Sequence, residues 1–383
     1  MLAVGLMSGT SLDGVDAVLC EVEGLAENTK VRQIAFETYD MSDGLKEKIK
    51  CCCADEGVTT SLICSLNFEL GELFANAAKS ICDKAGVDSE NLGFIASHGQ
   101  TIYHIPKPYD NYVASTLQIG ESTVIAQRCK CPVISNFREM DMACGGEGAP
   151  LVPFSEYIFY RNAHHAVALQ NIGGIGNVTV LPKNCSIDKV YAFDTGPGNM
   201  MIDEAMNVLY QKKYDENGAT AMQGKLIQKL ADELKNHPYI NVVPPKTTGR
   251  EMFGAHMTRK ILEKYQHEKS EDLIYTLTWY TAYTIAQNYE KYILPKDKVG
   301  EVILGGGGAH NKTLITILQE IMPEIKVCTQ EDKGYSSDAK EAVAFVILGN
   351  ETLHRQFSNV PSATGAREKA ILGKITYPNE SQW

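Results

Sequence analysis

Four glycine-rich turns, each at the end of an apolar strand-like run, constrain this chain more than any other feature: "MSGTSLDG" at 7–14, "NIGGIGN" at 171–177, "FDTGPGN" at 193–199 and "LGGGGAHN" at 304–311. Glycine lets successive backbone N–H groups point into one concavity, and such nests take up phosphate oxygens. Any single turn of this kind is more often a plain tight turn. The first could serve as a hairpin, a phosphate cradle or a flexible tail. Their joint position at strand ends favours ligand binding, because ligands of α/β proteins gather there.

The runs around the turns repeat one order. "LAVGLM", "VDAVLCEVEG" and "VRQIAFETY" read as strands, followed by helical stretches, the second from about Thr60 to Ala85, and by the strand "LGFIASHGQ". Further on, "HAVALQNIGG", "NVTVLP" and "KVYAFDTGPGN" again read as strands, helical sequence starts at Met200, and "EVILGGGGAHN" is a buried strand. A helix is predicted in "SDAKEAVAFVILG", with Ser337 or Asp338 as its cap. Two hairpin-led α/β units in tandem predict a duplicated, two-lobed protein with a cleft between lobes. The expected division is 1–131 with about 355–383 for the first lobe and 132–354 for the second.

Composition removes several classes. At 383 residues the chain exceeds one comfortable domain, and 44% hydrophobic with 22% charged is ordinary globular composition. A net charge of −11 argues against a general nucleic-acid or anionic-membrane binder. No apolar stretch approaches the roughly 18 residues of a membrane helix. The opening lacks a basic segment and is broken at Gly5, unlike a signal peptide, so a cytoplasmic location is expected. The eleven cysteines, odd in number and without C-x-x-C spacing, read as reduced thiols; Cys51, Cys52 and Cys53 would point apart on a helix, a poor zinc site. The familiar nucleotide signatures are missing. "GATAMQGKL" has one residue too many for a P-loop, and no G-x-G-x-x-G follows a strand.

A phosphate hairpin near residue 10, "FDTGPGN" midway and "GGGG" late resemble the acetate and sugar kinase, heat-shock protein 70 and actin superfamily. More closely, "GLMSGTSLDGVDAVL", "ASHGQTIYH", "TLQIGE", "NFREMDMACGGEGAPLVP", "NIGGIGNVTVL", "FDTGPGNMMID", "KTTGREMFG" and "DAKEAVAFVIL" resemble the anhydro-N-acetylmuramic acid kinase family, from residue 5 to about 348. The resemblance implies an α/β, two-lobed, duplicated ribonuclease H-like fold of the sugar kinase and actin type. It implies a kinase that opens 1,6-anhydro-N-acetylmuramic acid with water and phosphorylates its O6, using ATP and Mg2+, in peptidoglycan recycling.

Carried over residue by residue, the resemblance implies that Gly9, Thr10, Ser11, Leu12, Asp13, Gly14, Val15 and Asp16 form the ATP loop, with Asp13 holding magnesium through water. Gly174, Gly196, Gly198, Gly306 and Gly307 would meet the remaining phosphates and the adenosine. Asp194 is the implied base, activating water because an anhydro sugar has no free O6 hydroxyl. Glu341 is implied as a second acidic residue steering substrate or water. His98, Gln100, Arg138 and Asn171 are implied on the substrate, Arg138 against the lactyl carboxylate. Structural readings compete: a turn cap for Asp194, a solvated helix residue for Glu341, a surface bridge to Glu139 or Asp141 for Arg138, and a core histidine for His98. Glu147 and Thr248 depart from the residues frequent in the family motifs. The implied partners are the sugar and ATP, with neither nucleic acid nor membrane, and a homodimer left open. Two rival functions remain: a kinase for a neutral anhydro sugar such as levoglucosan, and a nucleotide-gated binding protein.

Overall fold

The run Leu2–Ser8 is apolar on both faces, and such a strand must lie inside a sheet covered on both sides. It forms β1, buried from Ala3 onward. The computed structural model describes residues 1–9, 12, 14–54, 57–333 and 338–379, apart from the side chains of residues 250 and 251. The strands are β1 (Leu2–Ser8), β2 (Val15–Glu23), β3 (Lys30–Tyr39), β4 (Phe94–Ile105), β5 (Ser115–Ile119), β6 (Val133–Ser135), β7 (Ala166–Ile172), β8 (Ile175–Leu181), β9 (Tyr191–Pro197), β10 (Val299–Gly305), β11 (Lys326–Thr329) and β12 (Lys374–Thr376).

The chain divides into two units, Met1–Phe159 with Asp338–Trp383, and Tyr160–Ser337. In the first, the sheet order is β12-β6-β4-β1-β2-β3, with β5 paired to β4. Side chains alternate across a strand. Val4 and Leu6 share a core with Leu66, Leu70, Phe74 and Ile81 of the helix Thr60–Lys84. On the other side, Gly5 lies against Ala342 and Val346 of the helix Lys340–Leu353. Thr59 caps the former helix by accepting from the Leu62 N–H at 3.2 Å.

In the second unit the order is β11-β10-β7-β8-β9. In both units a three-stranded antiparallel meander is extended past its first strand by parallel strands, β4 and β6 in one, β10 and β11 in the other. The element order expected from the sequence is therefore a true repeat of topology. The helix Ser270–Asn288, buried over most of its length with its threonines turned inward as well as its apolar residues, packs between β9 and the helices Met200–Tyr210 and Lys312–Ile321.

The expected boundaries at 131/132 and 354/355 differ from these units. Residues 132–159 fall in the first because β6 pairs with β4 and β12. Residues 338–354 do so because the helix Lys340–Leu353 packs on β1, β2, β4 and β6. That helix also corrects the expected cap. Ala339 occupies the position, Asp338 stands one residue outside, and Ser337 lies outside the described residues. All eleven cysteines are free thiols, and Cys51, Cys52 and Cys53 differ in exposure as neighbours on a helix should. No helix among the described residues is long and apolar enough to cross a membrane.

Candidate active site

In the second unit β7, β9 and β10 run parallel, so their glycine turns collect at one edge of the sheet. The Gly173–Gly174 turn and the loop after β9 are hydrogen-bonded together: Gly198 N–H donates to Gly174 C=O at 3.1 Å and Asn199 N–H to Gly173 C=O at 2.8 Å. At Gly198 a Cβ would stand 2.1 Å from the Gly173 carbonyl oxygen, so only glycine permits this approach. Asn171 lies beneath the third turn, its Oδ1 2.7 Å from where a Cβ on Gly306 would be.

Asp194 lies in β9 beside an irregularity. Gly176 opposes Gly196 but Asn177 opposes Asp194, so Thr195 is the extra residue of a bulge. Bulges re-aim side chains, often at active sites. A strap of chain from Tyr239 to Thr248 wraps the aspartate. Tyr239 Oη donates to Asp194 C=O at 2.8 Å, Asp194 N–H donates to Lys246 C=O at 3.1 Å, and Thr248 N–H donates to Asp194 Oδ2 at 2.9 Å. Oδ1 has no partner among the described residues. Burial raises the pKa of the half-buried carboxyl, opposed by the Thr248 N–H. The turn-cap reading gave Asp194 an acceptor role toward its own loop; its acceptor role is toward a segment some 50 residues on, which no local spacing signals.

Beside Gly307 opens a cavity of about 440 Å3, lined by Asn199, Asp203, Tyr214, Glu216, Asn217 and Asn311 among others. Burial pushes the Asp203 carboxyl up to about 6. Lined by carboxylates and amides, this cavity suits the hydroxyls and ring nitrogens of a nucleoside better than phosphates. Sequence reasoning missed Asp203, which reads as an ordinary helix residue.

In the first unit, the base of the 7–14 turn is braced from β4. Ser8 Oγ donates to Gln100 Oε1 at 2.6 Å, and Gln100 Nε2 donates to Gly9 C=O at 3.4 Å. Gln100, expected on the substrate, is thus buried and engaged with the loop. Leu12 and Val15 are buried, and Asp16 Oδ1 accepts from Thr38 Oγ1 at 2.6 Å. Thr10, Ser11 and Asp13 lie outside the described residues.

A second bulge interrupts β4 between the residues facing Leu6 and Ser8. Gly99, at φ +77°, makes it, in the left-handed region that glycine adopts freely. His98 Nδ1 donates to the Gly99 carbonyl at 2.8 Å, leaving Nε2 to accept from Arg138 Nε and Nη2 at 3.0 and 2.9 Å. Burial, with the guanidinium beside it, pushes His98 down to about 3 and keeps it neutral. Arg138 Nη1 donates to the Gly148 carbonyl at 2.7 Å. Of five guanidinium N–H bonds, one on each terminal nitrogen remains free of these contacts. Glu139 and Asp141 are not its partners: Asp141 is buried and accepts from Gly148 N–H, Asn359 and Thr364. Burial lowers the Arg138 pKa while Glu341 and Glu139 oppose the shift. Glu341 is exposed in the first turn of its helix, and Glu147 pairs with Lys107 at 2.9 Å.

Two units of one ribonuclease H-like topology, with glycine turns and bulge-aimed polar residues along their strands, define the architecture of the sugar kinase and actin superfamily. Residues 1–378 match the profile of the anhydro-N-acetylmuramic acid kinase family. The chain is 57% identical over 376 residues to the anhydro-N-acetylmuramic acid kinase of Clostridioides difficile (strain 630), covering 98% of each. It is 51% identical over 382 residues to that of Bacillus cereus (strain AH187), covering 99% of this chain and 100% of the relative. A solved activator of the 2-hydroxyisocaproyl-CoA dehydratase from Clostridium difficile superimposes with a TM-score of 0.44 at 12% identity, covering 93% of this chain and 97% of that one. The chain belongs to the anhydro-N-acetylmuramic acid kinase family.

Proposed function

We propose that this protein converts 1,6-anhydro-N-acetylmuramic acid, ATP and water into N-acetylmuramic acid 6-phosphate, ADP and a proton, in the cytoplasm, as a step of peptidoglycan recycling. Water loses a proton to Asp194 and its oxygen bonds to C1. The C1–O6 bond breaks, O6 takes the γ-phosphoryl group, and ADP leaves. Asp194 returns the proton to solvent.

The observation that carries the reading is the Asp194 carboxyl: Oδ2 is fixed by the Thr248 N–H and burial makes the group a stronger base than an exposed aspartate. The free N–H pair of Arg138 matches a carboxylate end-on, and His98 and Gly148 orient it. The Gly198 and Gly173 N–H groups are spent within the turns, so the phosphates would be met by the backbone at Gly174, Gly306 and Gly307, and the cavity beside Gly307 fits the nucleoside end. Asp13, which lies outside the described residues, is the residue we propose for magnesium, which would neutralise charge on the nucleotide phosphates.

Asp194→Asn keeps size and the Thr248 hydrogen bond but accepts no proton. Binding of sugar and ATP should survive while kcat falls by roughly 10²–10⁴-fold. In ¹⁸O-labelled water the heavy atom should enter at C1 of the product and not its phosphate. A fully active Asn variant would move the base elsewhere, with Glu341 next in line, and label in phosphate would mean plain ATP hydrolysis.

A further inference from the structure

We infer that Lys246 is a positioning residue: its ammonium, plugged between two tyrosine rings, fixes the strap of chain that holds the Asp194 carboxylate. The inference rests on Asp194 being the base.

The strap contacts Asp194 at its two ends, through Tyr239 and through Lys246 and Thr248, while between them Ile240 is buried and Asn241 accepts from Lys291 Nζ at 2.9 Å. Val242 and Val243 are exposed, the latter at 68%, and two prolines follow. After them Lys246 turns inward, only 5% exposed. Its Nζ lies 4.6 Å from the centroid of the Tyr239 ring and 5.0 Å from that of Tyr292, and it donates to the Tyr239 carbonyl at 3.4 Å. Cations bind aromatic faces more strongly when both are out of water. Tyr292 in turn meets the edge of Phe193, the residue before Asp194, with ring centroids 6.5 Å apart. The ammonium therefore joins one end of the strap to the other and both to the strand that carries the aspartate.

No carboxylate of the described residues lies within ion-pair distance of Nζ. Burial and the neighbouring Lys291 push the amine down to about 8. The charge is thus held at a cost to stability, and an uncharged chain of the same length would fill the channel without it. Lys246 acts through where it holds the strap: its Nζ is spent on the two rings and on the Tyr239 carbonyl.

The test is a double-mutant cycle. Lys246→Met should fold with an unfolding midpoint no lower than the parent. Its kcat should fall by about 10²-fold, the scale of a small misplacement of a reacting group, while KM for ATP and for the anhydro sugar stays within about twofold. Lys246→Arg, which keeps a charge over the rings, should recover most of kcat. On an Asp194→Asn background, Lys246→Met should cost nothing further, because its effect passes through that carboxylate. A folded Lys246→Met with unchanged kcat overturns the inference, as does an equal loss in the Asp194→Asn background. Should Lys246→Met not fold, Tyr292→Leu at a half-exposed ring takes its place in the same cycle, with the same results expected and the same results fatal. Full activity of Asp194→Asn alone would sink the reading of the base; an inactive Asp194→Asn beside a fully active Lys246→Met sinks only this inference.

Discussion

Arg138 spends three of its five N–H bonds on His98 and Gly148 and keeps one on each terminal nitrogen. If that pair meets the lactyl carboxylate, Arg138→Ala should reduce kcat/KM for anhydro-N-acetylmuramic acid by about 2–5 kcal/mol of lost stabilisation, the range for breaking a buried charge pair. A neutral anhydro sugar such as levoglucosan should be nearly indifferent. The two substrates must be compared in one variant, because removing Arg138 also leaves His98 Nε2 buried without a donor. Equal losses for both would make Arg138 structural. The identity of these residues was legible in motifs, but their division of labour was not. His98 serves Arg138 and Gln100 braces the loop, through partners 40 and about 90 residues away.

At the scale of elements, the glycine turns act by close approach. Gly198→Ala would drive a Cβ to 2.1 Å from a backbone oxygen and force the two turns apart, whereas at Gly174 the nearest atom to a Cβ is Met200 Cε at 3.7 Å, an ordinary contact. The strain of such overpacking is typically about 1–3 kcal/mol. Calorimetry with an unreactive ATP analogue should therefore show affinity falling roughly tenfold or more for Gly198→Ala and little changed for Gly174→Ala. Equal affinities would remove these turns from the nucleotide site. The turns themselves were readable, because glycine runs after apolar runs have few other uses. The bulges at Thr195 and at His98–Gly99 were not, since an extra residue in a ladder is defined only by the strand opposite.

For the whole molecule, the two buried bases act on stability in the same direction but in different pH windows, because each is held below its ordinary pKa. His98 is neutral in the folded state down to about 3 but would protonate near 6.5 when unfolded. The unfolded state then binds more protons, so stability falls as pH drops through that window, by about 2 kcal/mol between pH 7 and 5. Urea unfolding at both pH values should show this loss, and His98→Asn should lack it. Lys246 has its folded pKa lowered to about 8, so its cost is present at neutral pH and relieved as pH rises toward its ordinary 10.5. The sequence alone determined the repeated order of strands and turns, the helix Thr60–Lys84 and the family, because apolar periodicity and glycine runs are local properties of the chain. Tertiary structure alone decided that 132–159 and 338–354 join the first unit, that a strap from 239–248 holds Asp194, and that a lysine is caged behind it. Each of those depends on which distant segments share a sheet or a core, and burial and hydrogen-bond partners exist only once they meet.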